Sequence, residues 1–236
     1  MLSLLQKELA DIFPAPIRGA SLVRELSCSV TRYAWPLESK HSVEISNHYR
    51  RALRANPRLY NDTILLARGW GIRLGQFRAE FFQTDFASYL YWRKHASEDR
   101  RVVNCSPAAI IISQDEQFLL ATTSSLEGNS TKLCLPGGMP EPRDMQGSRL
   151  DLQDTLFREL AEELGVAKSQ VSLLPGWYIV AGTSWIVVLK PMKCSIDAHV
   201  LSIQIRKYIA RQRNPELIDV LFRPLSSDWG NTIVRH

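Results

Sequence analysis

Hydrophobic positions recur along this chain with two periods, helical and extended, and the period changes often. Between residues 42 and 56, Val43, Ile45, Tyr49 and Leu53 carry helical spacing that Asn56-Pro57 would end. Residues 62–67 and 75–82 read as strands joined across Gly69, Gly71 and Gly75. Thr84 or Asp85 can cap a helix running through Phe86, Tyr89, Leu90 and Trp92. After a charged stretch at 94–101, residues 107–112 and 117–123 predict a hairpin turning at Asp115-Glu116, and 132–135 a short strand. A helix is predicted over 151–164. Strands over 171–181 and 184–190 follow around Gly182-Thr183, then a helix over 197–213 and a strand over 217–223. This order predicts an α+β fold, with a mixed β-sheet packed between α-helices. The charged stretch divides it into an N-terminal α/β region, 1–101, and a second domain, 102–236.

The helix over 151–164 carries the candidate chemistry. With Phe157 at zero on a helical wheel, Leu160, Ala161 and Leu164 fall within about 60° of it and form an apolar stripe. Glu159, Glu162 and Glu163 fall between about 140° and 240°, opposite that stripe. Asp151 is placed to cap the helix, and Gly165 to end it in the left-handed conformation. Three glutamates on a helix most often form only a solvated face. Here they repel one another with no Lys or Arg four residues on to offset them. Leu135-Pro136-Gly137-Gly138 lies upstream, where a glycine turn can bring backbone close to a ligand. Carboxylates so arranged can hold a hard cation such as Mg²⁺.

Residues 158–166, Arg-Glu-Leu-Ala-Glu-Glu-Leu-Gly-Val, resemble the second half of the Nudix box, G-x5-E-x7-R-E-U-x-E-E-x-G-U, at every fixed position. Gly138 takes the place of its opening glycine and Asp144 that of its first glutamate. Thirteen residues then separate Asp144 from Arg158 where the box has seven, so an insertion of six residues, 145–150, splits it. The resemblance covers the second half of the chain. It implies a Nudix fold and divalent-metal-dependent hydrolysis of a nucleoside diphosphate linked to a group X. Glu159, Glu162 and Glu163 would hold Mg²⁺ or Mn²⁺, with Glu162 and Glu163 as the reacting acids. Arg158 would orient them as an ion-pair partner, and Gly137 and Gly138 would shape the substrate loop. Glu216 and Asp219 are later-loop candidates for the general base, and Asp144 is a further candidate ligand. Gly137-Gly138-Met139-Pro140-Glu141-Pro142 and the region from Leu59 to Leu90 loosely resemble a UDP-glucose-hydrolysing subgroup. That nominates a UDP-sugar. The alternative is a catalytically weak nucleotide-binding or sensor module of the same fold.

Composition narrows the setting. The 45% apolar and 22% charged shares are those of a globular domain. No apolar run reaches a membrane span, and residues 1–20 carry Lys7, Glu8 and Asp11, unlike a secretory signal. The four cysteines show no C-x-x-C pair and read as reduced thiols, so the expected setting is cytoplasmic. Residues 1–101 hold 16 Lys and Arg against 10 Asp and Glu, and the remainder 13 against 14. A basic N-terminal half beside an acidic centre suits an anionic small-molecule nucleotide substrate; without a dense basic run, nucleic acid is disfavoured. A homodimer stays open. Trp70, Phe82, Phe86, Tyr89, Tyr91 and Trp92 could stack on a nucleobase, but at helix and strand spacing they are expected in the core.

Overall fold

The computed structural model describes residues 19–57, 59–95, 99–124 and 131–224. The reading of the N-terminus lies largely outside them. In chain order come strands β1 (Gly19–Val23) and β2 (Glu25–Val30), and helices α1 (Pro36–Lys40) and α2 (Ser42–Ala55). The pair β3 (Thr63–Arg73) and β4 (Gln76–Asp85) leads into α3 (Phe86–Lys94). Next are β5 (Val102–Ile112), β6 (Gln117–Ser124), β7 (Thr131–Cys134) and the two-residue strands β8 (Met145–Gln146) and β9 (Arg149–Leu150). Helix α4 (Leu152–Glu159) continues as a π turn, Leu160–Leu164. The chain then runs through β10 (Val171–Leu173), β11 (Trp177–Ala181), β12 (Trp185–Cys194), α5 (Ala198–Ile209) and β13 (Leu217–Pro224).

β5 joins two parts of one mixed sheet. Its first residues pair antiparallel with β3, and the rest runs parallel to β12. Beyond β3 lie β4, β2, β9 and β8; beyond β12 lie β11 and β1, while β13 and β7 flank β6. Strand pairs therefore cross the 94–101 stretch repeatedly: β1 with β11, β3 with β5, and β2 with β9.

Alternation sends opposite sides of β3 and β4 to two cores. Leu65, Ala67, Phe77 and Phe81 face the main core, with Leu152, Leu156 and Leu160 of the α4 helix and Leu201 and Ile205 of α5. Ile64, Leu66 and Phe82 face the other way, under α1, α2 and α3, with Trp35, Leu37, Ile45 and Trp92. Asp85 caps α3 by accepting from the Ser88 N–H at 2.7 Å.

Three expectations change. The β3–β4 turn falls at Leu74-Gly75, both left-handed, and the strand continues through Gly69 and Gly71 across a register shift. Residues 171–181 are not one strand, because left-handed Gly176 separates β10 from β11. Trp70 is 42% exposed, unlike the other aromatics expected in the core.

Candidate active site

Asp151 caps α4 as its sequence position predicts, accepting from the Gln153 N–H at 2.9 Å. The helix lays Leu152, Leu156, Leu160 and Leu164 on the core and turns its acids away. The acids do not share one environment. Glu159 and Glu163, one turn apart, are buried under the glycine loop, whereas the Glu162 side chain is 47% exposed.

The loop is shaped to receive the two buried acids. Gly137 has φ +148° and donates its N–H to Glu163 Oε2 at 3.1 Å. A β-carbon there would overlap the Pro107 carbonyl oxygen and lie 2.7 Å from Ala108 Cα, so the position requires glycine. At Gly138 a β-carbon would overlap the Glu159 carboxylate itself, at 2.7 Å from Oε2. The carboxylate thus occupies the space that this glycine leaves.

Arg158 organises the other side. Its guanidinium grips Asp144 through two bonds, Nε to Oδ1 at 2.8 Å and Nη2 to Oδ2 at 2.9 Å. It also reaches Glu159 Oε1 at 2.9 Å, Glu162 Oε2 at 3.1 Å and the Met139 carbonyl at 3.3 Å. Burial opposes its charge, but Asp144 and Glu159 raise its pKa and keep it protonated. Burial also works against ionised Asp144, yet Arg158 and the Glu141 N–H outweigh it and hold its pKa below the usual range. Asp144 is therefore committed to Arg158 and to the Glu141 N–H at 2.9 Å. Arg143, which sequence reasoning passed over, contacts Glu162 at 3.1 Å.

Burial raises Glu159 to a pKa of about 7, against the pull of Arg158 and with the help of Glu216. Burial and then Glu159 raise Glu163 to about 8, and Glu216 adds to this. Glu216 is thus close enough to be felt by both. Asp219 is turned away, since Arg206 Nε binds it at 2.6 Å and holds its pKa low.

The end of the helix is held from outside. Past left-handed Gly165 the Val166 N–H bonds back to the Leu160 carbonyl in a Schellman-like closure, so it does not serve Glu162. Tyr208 Oη of α5 donates to the Ala161 carbonyl at 2.9 Å and to that of Glu162 at 3.3 Å, and Gln212 Nε2 donates to Glu162 at 2.6 Å. The Tyr208 ring packs against left-handed Gly165, leaving no room for a β-carbon. Nothing in the local sequence marks Tyr208 or Gln212, because their partners are backbone carbonyls of another element.

The six inserted residues do not form a loose loop. They fold as the β8–β9 hairpin, turning at left-handed Gly147, and β9 pairs with β2 through Cys28–Leu150 and Ser29–Arg149. Leu150 is buried in the main core. The hairpin closes the insertion on itself, which is why Asp144 still reaches Arg158 across fourteen positions.

Residues 105–201 match the family model of the NUDIX domain. The matched segment spans the glycine turn and the acidic helix. No curated protein was found to match it. Among solved structures, a NUDIX hydrolase from Nitrosomonas europaea is 21% identical, with a TM-score of 0.36 over 57% of this chain and 81% of that one. An Ap4A hydrolase from C. elegans, in a binary complex, is 15% identical, with a TM-score of 0.36 over 56% and 86%. A Bacillus subtilis pyrophosphohydrolase is 18% identical, with a TM-score of 0.31 over 52% and 65%.

The acids of this helix differ in their fit to a divalent cation. Among the described residues no group of three Asp, Glu, His or Cys is gathered as a ready metal cluster, because Glu162 is drawn out to Arg143 and Arg158. Glu159 and Glu163 do fit one. They are buried, they repel each other, and Arg158 offsets their charge only in part. Such an oxygen pair suits a hard divalent cation. Among the described residues no helix is long and apolar enough to cross a membrane.

Proposed function

We propose that the chain hydrolyses the phosphoanhydride of a nucleoside diphosphate linked to a group X, with Glu159 and Glu163 holding Mg²⁺ or Mn²⁺. One observation carries this reading: two buried carboxylates under a glycine turn, each raised in pKa by burial and by a carboxylate neighbour. Glu159 and Glu163 would hold the divalent cation, which would supply charge neutralisation at the diphosphate and a more acidic water. The chain's own groups do the rest. Arg158 fixes Glu159 and, through Asp144, the loop entering the helix. Gly137 directs Glu163, and the space at Gly138 admits the Glu159 carboxylate. Among the described residues no ion pair occupies Glu216, which makes it the better proton acceptor of the two later acids, as Asp219 is bound by Arg206.

The X group is proposed to be a sugar, on the resemblance carried by residues 137–142. Residues 1–101 are proposed to complete its pocket. A cleft of about 700 Å³ supports this, since it lies between Thr31, Arg32 and Tyr33 on one side and Met145 and Ser148 of the inserted hairpin on the other. The capture of Glu162 by two arginines favours a second reading, a domain that binds nucleotides without cleaving them. A hydrolysis screen with product identification separates the two. It would cover UDP-sugars, ADP-ribose, dinucleoside polyphosphates, coenzyme A and oxidised nucleotides, with Mg²⁺ and with Mn²⁺. Turnover that Glu163→Gln removes supports the hydrolase; saturable binding with no product in any reaction supports the binding module.

A further inference from the structure

The NUDIX helix packs on one side of the β3–β4 sheet, and α2 and α3 cover the other. Between α2 and α3 lies a cleft of about 730 Å³. Its floor is apolar, made by Ala52, Leu59, Leu90 and Tyr91, and its rim is cationic. Arg51 comes from α2, and Arg93 and Lys94 from the last turn of α3. His48 and His95 join them, and Glu44 is the one acid among the described residues lining it. Tyr91 stacks on His95 at 4.4 Å between ring centroids and meets the His48 ring edge-on at 6.2 Å.

Basic residues at a helix C-terminus commonly answer the helix dipole, and that accounts for Arg93 and Lys94. It does not account for His48 and Arg51, which lie a turn or more inside α2. Among the described residues no ion pair neutralises Arg51, Arg93 or Lys94. Among the described residues the cleft therefore holds three permanent positive charges against one carboxylate. Partial burial and then Lys94, Arg51, His95 and Arg93 together lower the pKa of His48, a physical sign that the positive field there is not compensated.

We propose that this cleft is a second ligand site, separate from the NUDIX glutamates, that takes a small organic phosphomonoester. A phosphomonoester brings a charge of about −1.5 to −2 and three strong acceptor oxygens, which suit a guanidinium, an ammonium and two imidazoles at one rim. The apolar floor asks for an organic group beyond the phosphate, and the volume lies in the range of small-molecule pockets. Nucleic acid fits less well, because the cations are gathered at one cleft on two helices and do not follow an extended track.

The test uses the full-length protein and follows the imidazole NMR signals of His48 and His95, assigned with His48→Gln. Inorganic phosphate, AMP, glucose 1-phosphate and a single-stranded RNA oligonucleotide are titrated separately, without divalent metal. At least one of the two esters is expected to shift both imidazoles saturably, with a Kd at or below about 1 mM and tighter than inorganic phosphate. The same titration should raise the pKa of both rings. The double variant Arg51→Glu, Lys94→Glu is expected to weaken the ester at least about tenfold with an unchanged melting temperature, since both side chains are exposed. Glu163→Gln is expected to leave this binding intact even if it ends hydrolysis, so failure of this site and failure of the hydrolase reading are told apart. The proposal is overturned by no saturable shift for either ester, or by shifts that Glu163→Gln removes and the double variant does not. It is equally overturned if inorganic phosphate binds as tightly as the esters, or if only the oligonucleotide binds.

Discussion

Replacing Gly138 with alanine separates the geometry of the candidate site from the stability of the fold. The added β-carbon would overlap the Glu159 carboxylate, 2.7 Å even from Oε2, and its three nearest neighbours all belong to that group. An ordinary contact would push the carboxylate back by roughly 1 Å, a misplacement that costs about 10²-fold in rate at a reacting centre. The backbone φ at Gly138 is not in the left-handed region, and the tip of a glutamate can swing aside. Stability should change by less than about 1 kcal/mol, with reduced freedom of the unfolded chain acting in favour. Gly137→Ala is the paired control. Its β-carbon would strike the backbone of Pro107 and Ala108 at φ +148°, so a loss of about 1–3 kcal/mol is expected. For a chain of this length that lowers Tm by roughly 2–12 °C. The assays are thermal melts with and without Mg²⁺, together with kcat on the best substrate of the screen. Gly138→Ala should melt near wild type, respond weakly to Mg²⁺ and lose most of its turnover. Wild-type turnover in Gly138→Ala, or a melt below that of Gly137→Ala, would refute the argument.

Glu163→Gln should abolish Mg²⁺-dependent hydrolysis and, in EDTA, raise the melting temperature at pH 8; retained turnover would show that Glu163 holds no metal. Without metal, stability should fall as pH rises from about 4.5 towards 8. Glu159 and Glu163 have folded pKa values of about 7 and about 8 against an ordinary 4.5, so between those values the folded chain binds more protons than the unfolded one. The loss is on the order of a few kcal/mol, and Mg²⁺ should restore it at pH 8; denaturant titrations with equal stability at pH 5 and pH 8 would contradict this. Tyr208→Phe removes the donor to the Ala161 and Glu162 carbonyls, worth about 1 kcal/mol. The apparent Mg²⁺ affinity should fall several-fold while KM at saturating Mg²⁺ is unchanged, and an unaltered Mg²⁺ dependence would remove Tyr208 from any positioning role.

The acidic helix was legible because an apolar stripe opposes Glu159, Glu162 and Glu163, but the stripe expected at Phe157, Leu160, Ala161 and Leu164 is rotated: the structure buries Leu156, Leu160 and Leu164, half-buries Phe157 and exposes Ala161. Its cap was legible because Asp151 acts on its own next residues. What periodicity cannot tell is how three acids on one arc divide between burial and solvent, since that is set by Gly138 and Arg143 on another segment. The partner of Arg158 was hidden for a different reason. The insertion moved Asp144 out of the spacing of the box, and only a closed hairpin returns it. Strands of two residues, such as β8 and β9, carry no period at all. The break between β10 and β11 lay in Pro175-Gly176, a turn signal overridden by the apolar run on either side. In the N-terminal half, α2 and α3 followed from spacing and the Asp85 cap. β1 and β2 are stabilised by partners far along the chain, so their own residues say little.

The pairing of β1 with β11 has a bearing on how the molecule is made. Gly19 meets Ala181 and Val23 meets Trp177, so the first described strand waits for more than 150 further residues before its partner exists. At synthesis rates of about 5–20 residues per second that is a delay on the order of ten seconds or more. β2 has earlier company in β4, but its other edge stays open until Leu150 has emerged. During that interval the chain presents unpaired strand edges, the state in which strands find wrong partners. Chaperone dependence in the cell should therefore track β1. Weakening that one strand should lower the yield of folded protein more than it lowers the stability of the protein that does fold.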